Sequence, residues 1–475
     1  MNVARKALVI LLAVTMLSSV AVSQQDVSRE AARRSPAWVR DGVIYEIYER
    51  NFSQEGTFNA VTARLDDLKN LGVTILWLMP VHPIGQLRKK GTIGSPYAVR
   101  DYYEVNPDYG TKEDLRRLVE EAHRRGMKVI IDIVANHTSW DSVLMRDPDF
   151  YRRDAQGHIL PPAADWAGPD VDVAQLNFDN PRVRTYLIEM MKYWLREFDL
   201  DGFRCDVALM IPLDFWERAR DELERIKPNI FMLGETCCTP SWLLKAFDAY
   251  YDWDLFHRME QVVWGASPAR GLREVWEDAH LKLPRGGLQM RFTDDHDEQR
   301  AVSQLGRRAA LAGSAFMFTI DGVPLVYNGM EVGDATESGD PALFERMPVF
   351  WKIARRRPEY PRFYKQIIAL RRAHTALQQG ETEWIRNSDD ARVVTYIRRS
   401  TDEEFLVAIN FSNRPFTGLV ETGNGAAFTE VTPDIAEPLK PNATEEERAA
   451  RRRQVGLPAL ALDAWGFRIF RRSLR

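Results

Sequence analysis

The sequence predicts an α/β fold: a (β/α)8 TIM barrel with a short inserted lobe after strand 3 and a C-terminal antiparallel β-domain. Three observations carry that reading. Short β-rich runs alternate with amphipathic helical stretches, which implies a parallel sheet, and there are eight such runs. Polar residues gather at the C-terminal ends of the runs, the face at which barrels build their sites. Beyond residue 380 the pattern turns to strand-like alternation. The 475 residues are also too many for one ordinary core.

In chain order, Arg5 and Lys6 precede the apolar run "ALVILLAVTML", and the small residues Ala21, Val22 and Ser23 follow. Residues 1–23 therefore read as a secretory signal peptide cut near Ser23, and the protein is expected to be secreted or periplasmic. The run is short for a membrane span, and no later segment is long and apolar enough to be one. No membrane association is expected after signal removal.

Residues 24–380 are assigned to the barrel. Its strand candidates are "GVIYEIYERNF" (42–52), "VTILWLMP" (73–80), "KVIIDIVANH" (128–137), "DGFRCDV" (201–207), "NIFMLGE" (229–235), "YYDWDL" (250–255), "LQMRFTDDHD" (288–297) and "VPLVYNGMEVG" (323–333). Stretches such as "TKEDLRRLVEEAHRRGM" (111–127) and "PRVRTYLIEMMKYWLREFDL" (181–200) repeat apolar residues at helical spacing. Residues 138–180 break the rhythm. They are rich in Asp, Pro and aromatics, and so long a loop reads as a functional lobe over the barrel mouth. After the helical "RFYKQIIALRRAHTALQQG" (362–380), the runs "RVVTYIRRS", "EFLVAINFS" and "AWGFRIFRR" predict a β-sandwich domain over 381–475.

Composition excludes several classes. With 45% hydrophobic and 28% charged residues and a net charge of -4, nothing argues for a nucleic-acid surface. The run "EEERAARRRQ" (445–454) reads as a solvated helical face. Cys205, Cys237 and Cys238 form neither a disulfide framework nor a metal-ligand pattern. Cys205, inside an apolar strand, reads as a small core hydrophobe.

The strand ends supply the chemistry. Two carboxylic acids are the minimum for cleaving a glycosidic bond, one to protonate the leaving oxygen and one to attack the anomeric carbon in a retaining enzyme. Asp206 and Glu235 are the best pair, on consecutive strands. Arg204 lies two residues before Asp206, hence on the same face, and its cation should keep Asp206 ionised. Glu235 ends an apolar run whose burial should raise its pKa and keep it protonated. Asp297 offers a third carboxylate for sugar hydroxyls.

These residues resemble the α-amylase family of glycoside hydrolases over nearly all of the mature chain. "DIVANH" (132–137), "GFRCD" (202–206), "LGE" (233–235) and "FTDDHD" (292–297) are similar to its four motifs, in order and on the expected strands. The resemblance implies Asp206 as nucleophile, Glu235 as general acid/base and Asp297 as transition-state stabiliser. It implies that His137, Arg204 and His296 bind the sugar in the cleavage subsite. Tyr97, in "SPYAVRDYYEVNPDYGT" (95–111), would stack beneath that sugar, with Arg300 a weaker contributor. The expected activity is hydrolysis of α-glucosidic bonds in starch-like or malto-oligosaccharides. A transglycosylase or sugar isomerase would use the same trio, and a catalytically silent binding subunit is the third reading.

Leu209 and Met210 depart from the pattern, since many family members carry lysine and histidine there. The lysine usually contacts leaving-group sugars. The histidine often gives its carbonyl to a structural calcium, for which Asn136 would be another ligand. The chemistry requires no cofactor, and calcium stays open as a structural ion. "VAQLN" (173–177), where the family often has a segment tracking linkage preference, matches neither common version. Trp140 and Trp166 in the lobe are either sugar platforms or packing groups. Asp101 and Asp132 read as structural. Linkage preference, chain length and oligomeric state are not written in the sequence.

Overall fold

The computed structural model describes residues 26–164, 167, 171–237, 239–422, 427–435 and 457–475. The signal segment, Trp166, Cys238 and the run 445–454 lie outside the described residues.

Eight parallel strands close a barrel: β1 (Ile44–Ile47), β2 (Ile75–Leu78), β3 (Lys128–Ile133), β6 (Gly202–Cys205), β7 (Phe231–Gly234), β8 (Ala249–Tyr251), β9 (Leu288–Arg291) and β10 (Val323–Tyr327). Pairing of β1 with β10, Ile44 opposite Leu325, completes the ring. The strands are almost wholly buried, which is why they read as apolar runs rather than alternations. Gly202 opens β6 because a Cβ there would lie 1.9 Å from the Phe231 carbonyl oxygen. Only glycine lets β6 and β7 approach that closely.

Several strands are shorter than their runs. In "GVIYEIYERNF" the strand stops at Ile47, and Glu49–Phe52 forms a helical turn. In the sixth run the strand is Ala249–Tyr251, since Asp252 caps the helix Trp253–Val263 through the Leu255 N–H. The first long helix, Lys112–Arg124, starts at a capping box between Thr111 and Asp114. The next, Pro181–Phe198, starts at the Asn180 cap.

The lobe after β3 is tied down by a two-stranded antiparallel sheet. In it β4 (His137–Ser139) pairs with β5 (Val173–Gln175), His137 opposite Gln175. Two 3-10 turns, Val143–Arg146 and Pro148–Phe150, lie between them. Trp140 donates Nε1 to the Val171 carbonyl at 3.0 Å and lies under the Arg88 guanidinium, so it packs this lobe.

The C-terminal region holds a five-stranded sheet in the order β11 (Glu381–Trp384), β12 (Val393–Arg399), β13 (Glu403–Asn410), β17 (Phe467–Ser473), β15 (Thr429–Glu430). A second sheet pairs β14 (Phe416–Leu419) with β16 (Ala459–Leu462). Alternation along β12 and β13 explains the layering. Val394, Tyr396, Phe405, Val407 and Ile409 join the barrel's core, while Val393, Ile397, Leu406 and Ala408 pack with Phe416, Leu460 and Leu462 of the small sheet.

Candidate active site

Strand β6 delivers Arg204 to the C-terminal mouth of the barrel, and the site is built around its guanidinium. Nη1 donates to Asp132 Oδ1 and Oδ2, both at 3.0 Å, and to Asp206 Oδ1 at 2.9 Å. Nη2 forms an ion pair with Glu235 Oε2 at 2.8 Å. Nε donates to the Tyr251 hydroxyl at 3.1 Å. Trp77, Tyr97 and Tyr251 place their rings 5.3–5.7 Å from the guanidinium carbon. Arg204 is fully buried and all its nitrogens face protein groups. It therefore holds Asp132, Asp206 and Glu235 together.

Glu235 is anchored a second time, accepting from the Val207 N–H at 2.6 Å. Val207 has φ 36° and ψ 45°. That left-handed geometry strains a β-branched residue, and here it turns the N–H towards the carboxylate. The Glu235 side chain retains 16% exposure, so it is not sealed in its apolar strand as expected.

Asp206 also differs from expectation. Burial pushes its carboxyl well up, Arg204 pulls it down, and Glu235 and Asp132 push it up again, with a net upward direction. Burial moves Asp132 the same way against Arg204. One guanidinium is thus shared among Asp132, Asp206 and Glu235.

The second half of the site centres on His296. Its Nδ1 lies 2.5 Å from Glu46 Oε1, and its Nε2 lies 2.6 Å from the Tyr97 hydroxyl and 3.2 Å from Asp297 Oδ2. Tyr97 stacks on its ring and its hydroxyl donates to Asp132 Oδ2 at 3.1 Å. Burial lowers His296, but Asp297 and Glu46 outweigh it and raise the imidazole to about 10. It is thus a cation at neutral pH. Asp297 remains 35% exposed at its side chain and faces the opening. His137 is opposite in character: burial pushes it down to about 3, so it is neutral.

The structure thus brings Asp206, Glu235, Arg204, Tyr97, His296 and Asp297 into one connected network, with His137 at the start of β4 on its lobe side. Arg300 points elsewhere, donating to the Asn328 carbonyl and facing the Tyr327 ring. Asp101 caps the Tyr103 N–H, a structural role. Asp132 also holds structure, but inside the site. Reading the sequence missed Glu46 and Tyr251. Glu46 left one signal, a lone carboxylate in an apolar strand.

One oxygen marked for calcium is already engaged by a protein group. Asn136 Oδ1 accepts from Gln175 Nε2 at 2.7 Å, and Asn136 Nδ2 lies 3.8 Å from the Met210 thioether. Calcium prefers several free oxygen ligands. Among the described residues, no cluster of three His, Cys, Asp or Glu side chains is arranged to hold a metal.

A family model described as "Alpha amylase, catalytic domain" matches residues 31–156 and 169–352. The chain is 31% identical over 411 residues to α-amylase MalA of Haloarcula japonica, covering 82% of this chain and 58% of that protein's length. A noncanonic maltogenic α-amylase, AmyB, from Thermotoga neapolitana superposes with a TM-score of 0.79 at 29% identity, covering 92% of this chain and all of that one. An α-amylase from Lactobacillus plantarum gives 0.77 at 29% identity, covering 91% and 99%.

Proposed function

This chain belongs to the α-amylase family of glycoside hydrolases, and from that premise we propose that it hydrolyses α-glucosidic bonds in malto-oligosaccharides with retention of configuration. One observation carries the assignment: Asp206 and Glu235 occupy the two terminal nitrogens of a single buried guanidinium at the barrel mouth. Arg204 fixes Asp206 Oδ1, and Oδ2 has no hydrogen-bond partner among the described residues, so Oδ2 is the attacking atom. Glu235 gives its proton to the glycosidic oxygen as the bond to the anomeric carbon breaks and Asp206 forms a glycosyl ester. Water then cleaves the ester, returning its proton to Glu235. Asp297 and charged His296 hold sugar hydroxyls as positive charge develops on the ring, and Tyr97 supports the sugar face. AmyB of Thermotoga neapolitana, to which the chain is similar, is a maltogenic α-amylase, which supports an α-glucan substrate.

Export belongs to the same reading and rests on Arg5, Lys6, the apolar run and Ala21–Ser23. N-terminal sequencing of the secreted product tests it, with a start just after Ser23 expected. For activity, the test is incubation with starch, pullulan, maltotriose, isomaltose, sucrose and trehalose, followed by chromatography and proton NMR. Glucose and maltose released first as α-anomers are expected from maltotriose and starch. Initial β-anomers, or no release from any α-linked substrate, would overturn the proposal.

A further inference from the structure

The chemistry gives the cleft a direction. Glu235 protonates the glycosidic oxygen, so the departing sugars lie on the β7 side. On the function proposed above, the reacting ring sits between Tyr97 and Asp297. In an α-1,4-glucan the rest of the retained chain hangs from the hydroxyl across that ring from the anomeric carbon. That part of the chain therefore points away from β7. In the closed barrel the strand diametrically opposite β7 is β1, four places away in either direction. Over the end of β1 the loops of its two neighbours, β2 and β10, are fastened together. The Thr92 N–H donates to Glu345 Oε1 at 2.8 Å, and the Thr92 hydroxyl donates to Glu345 Oε2. The Ile93 N–H donates to the Phe344 carbonyl at 3.2 Å. Gly91 has φ 62°, and a Cβ there would lie 2.6 Å from Phe344 Cβ, so glycine permits the close approach. Arg50, 4% exposed in the turn that follows β1, backs the join. Its Nη1 donates to the Gly94 carbonyl at 3.0 Å and to the Leu343 carbonyl at 3.1 Å. Asn51 donates Nδ2 to the Ala342 carbonyl at 3.3 Å and accepts from the Met347 N–H at 2.8 Å. At its other end the β10 loop reaches the rim, where a Cβ on Gly339 would lie 3.0 Å from the Asp297 carbonyl oxygen. Residues 339–345, joined to 91–97, thus span from Asp297 to Tyr97, the two residues that flank the reacting sugar.

We infer that this join closes the retained-sugar end of the cleft, so that the enzyme attacks α-glucans from their non-reducing ends rather than within the chain. A glucan running on past the reacting ring meets two loops hydrogen bonded to each other and backed by a buried guanidinium. Admitting it would cost those hydrogen bonds. A short retained piece fits, and its release yields short products. This inference deepens the function proposed above and rests on it. Thr92, Glu345 and Arg50 set specificity and take no part in bond cleavage.

The test uses the full-length protein and maltoheptaose labelled at its reducing end, with the non-reducing end either free or blocked by an ethylidene acetal. Consumption of the labelled parent is followed by chromatography. The free substrate should lose short pieces from its unlabelled end, and the blocked one should be consumed more than about tenfold more slowly. Glu345→Ala removes both Thr92 bonds, and Arg50→Met removes the buried support. Each should bring the blocked-to-free rate ratio several-fold closer to one, while kcat on maltotriose stays within about twofold of wild type. Where Arg50→Met fails to fold, Glu345→Ala decides, because the Thr92–Glu345 pair lies at the surface. Equal consumption of both substrates by wild type, with labelled fragments from mid-chain cuts, would overturn the closed end. A ratio unchanged in every folded variant would overturn the join as its cause. Either result leaves the proposed hydrolysis standing. If neither substrate is consumed, that hydrolysis falls and the inference falls with it, so the failures are distinguishable.

Discussion

At the residue scale, the chemistry turns on one oxygen. Among the described residues, Asp206 Oδ2 is the unpartnered atom of a carboxylate otherwise pinned by Arg204. Asp206→Asn keeps the shape and removes the nucleophile, so turnover on maltotriose should fall by several orders of magnitude while the melting temperature hardly changes. More than about a tenth of wild-type activity remaining would assign the nucleophile elsewhere. Glu46 makes a second test. Burial pushes its carboxyl up while His296 pulls it down, and the imidazole itself is raised to about 10. A folded value above the ordinary histidine value of about 6.5 means that the His296 contribution to stability is complete below that pH and is lost as pH rises towards 10. In Glu46→Gln part of the charge supporting His296 is gone. The decline of melting temperature between neutral pH and pH 10 should then be shallower than in wild type, as thermal melts across that range would show. An unchanged slope would mean that Asp297 alone holds the charge.

At the element scale, the 3-10 turn Ala208–Met210 joins β6 to the rim of the site. Leu209 there is 51% exposed and donates no hydrogen bond, whereas a lysine could reach sugars beyond the cleavage point. Hydrogen bonds to charged groups contribute about 1.5–3 kcal/mol at best, and exposure reduces that. Wild type should therefore favour short oligosaccharides, and Leu209→Lys should raise kcat/KM several-fold on longer ones only. A length series from maltotriose to maltoheptaose measures this. Efficiency that already climbs steadily with length in wild type, unchanged in the variant, would show that the turn does not set length preference. Lobe aromatics are less able to compensate than the sequence suggested, because Trp140 is committed to Val171 and Arg88.

At the scale of the whole molecule, the barrel and the C-terminal sheet share one core. Phe316 of the helix Arg307–Thr319 contacts Tyr396 and Phe411, and Phe363 contacts Phe467. Thr319 and Tyr396 are hydrogen bonded across the boundary at 2.6 Å. Buried Arg371 collects the carbonyls of Phe318, Ile320 and Gly322 beneath the same face. The protein should accordingly unfold in one calorimetric transition. Phe316→Ala should destabilise both parts together by roughly 3–5 kcal/mol, the usual range for a buried phenylalanine. Two resolved transitions, with only one shifted by the substitution, would refute the shared core.

The sequence by itself determined the barrel, because eight buried parallel strands leave apolar runs and helices leave a 3.6-residue period. It also determined which carboxylates reach the mouth, because a strand end is a local property: Asp206 and Glu235 follow β6 and β7 directly. Only the tertiary structure decided how those groups are shared. Arg204 finds Asp132 through the β3–β6 register, and meets Glu235 at the end of β7 and Tyr251 on β8. His296 finds Glu46, 250 positions away, once β10 closes against β1. Local periodicity carries no record of such pairings, since barrel closure fixes the distances. For the same reason the sharing of Arg204 among Asp132, Asp206 and Glu235 is not legible in the sequence. Likewise Gln175 meets Asn136 only once β4 pairs with β5.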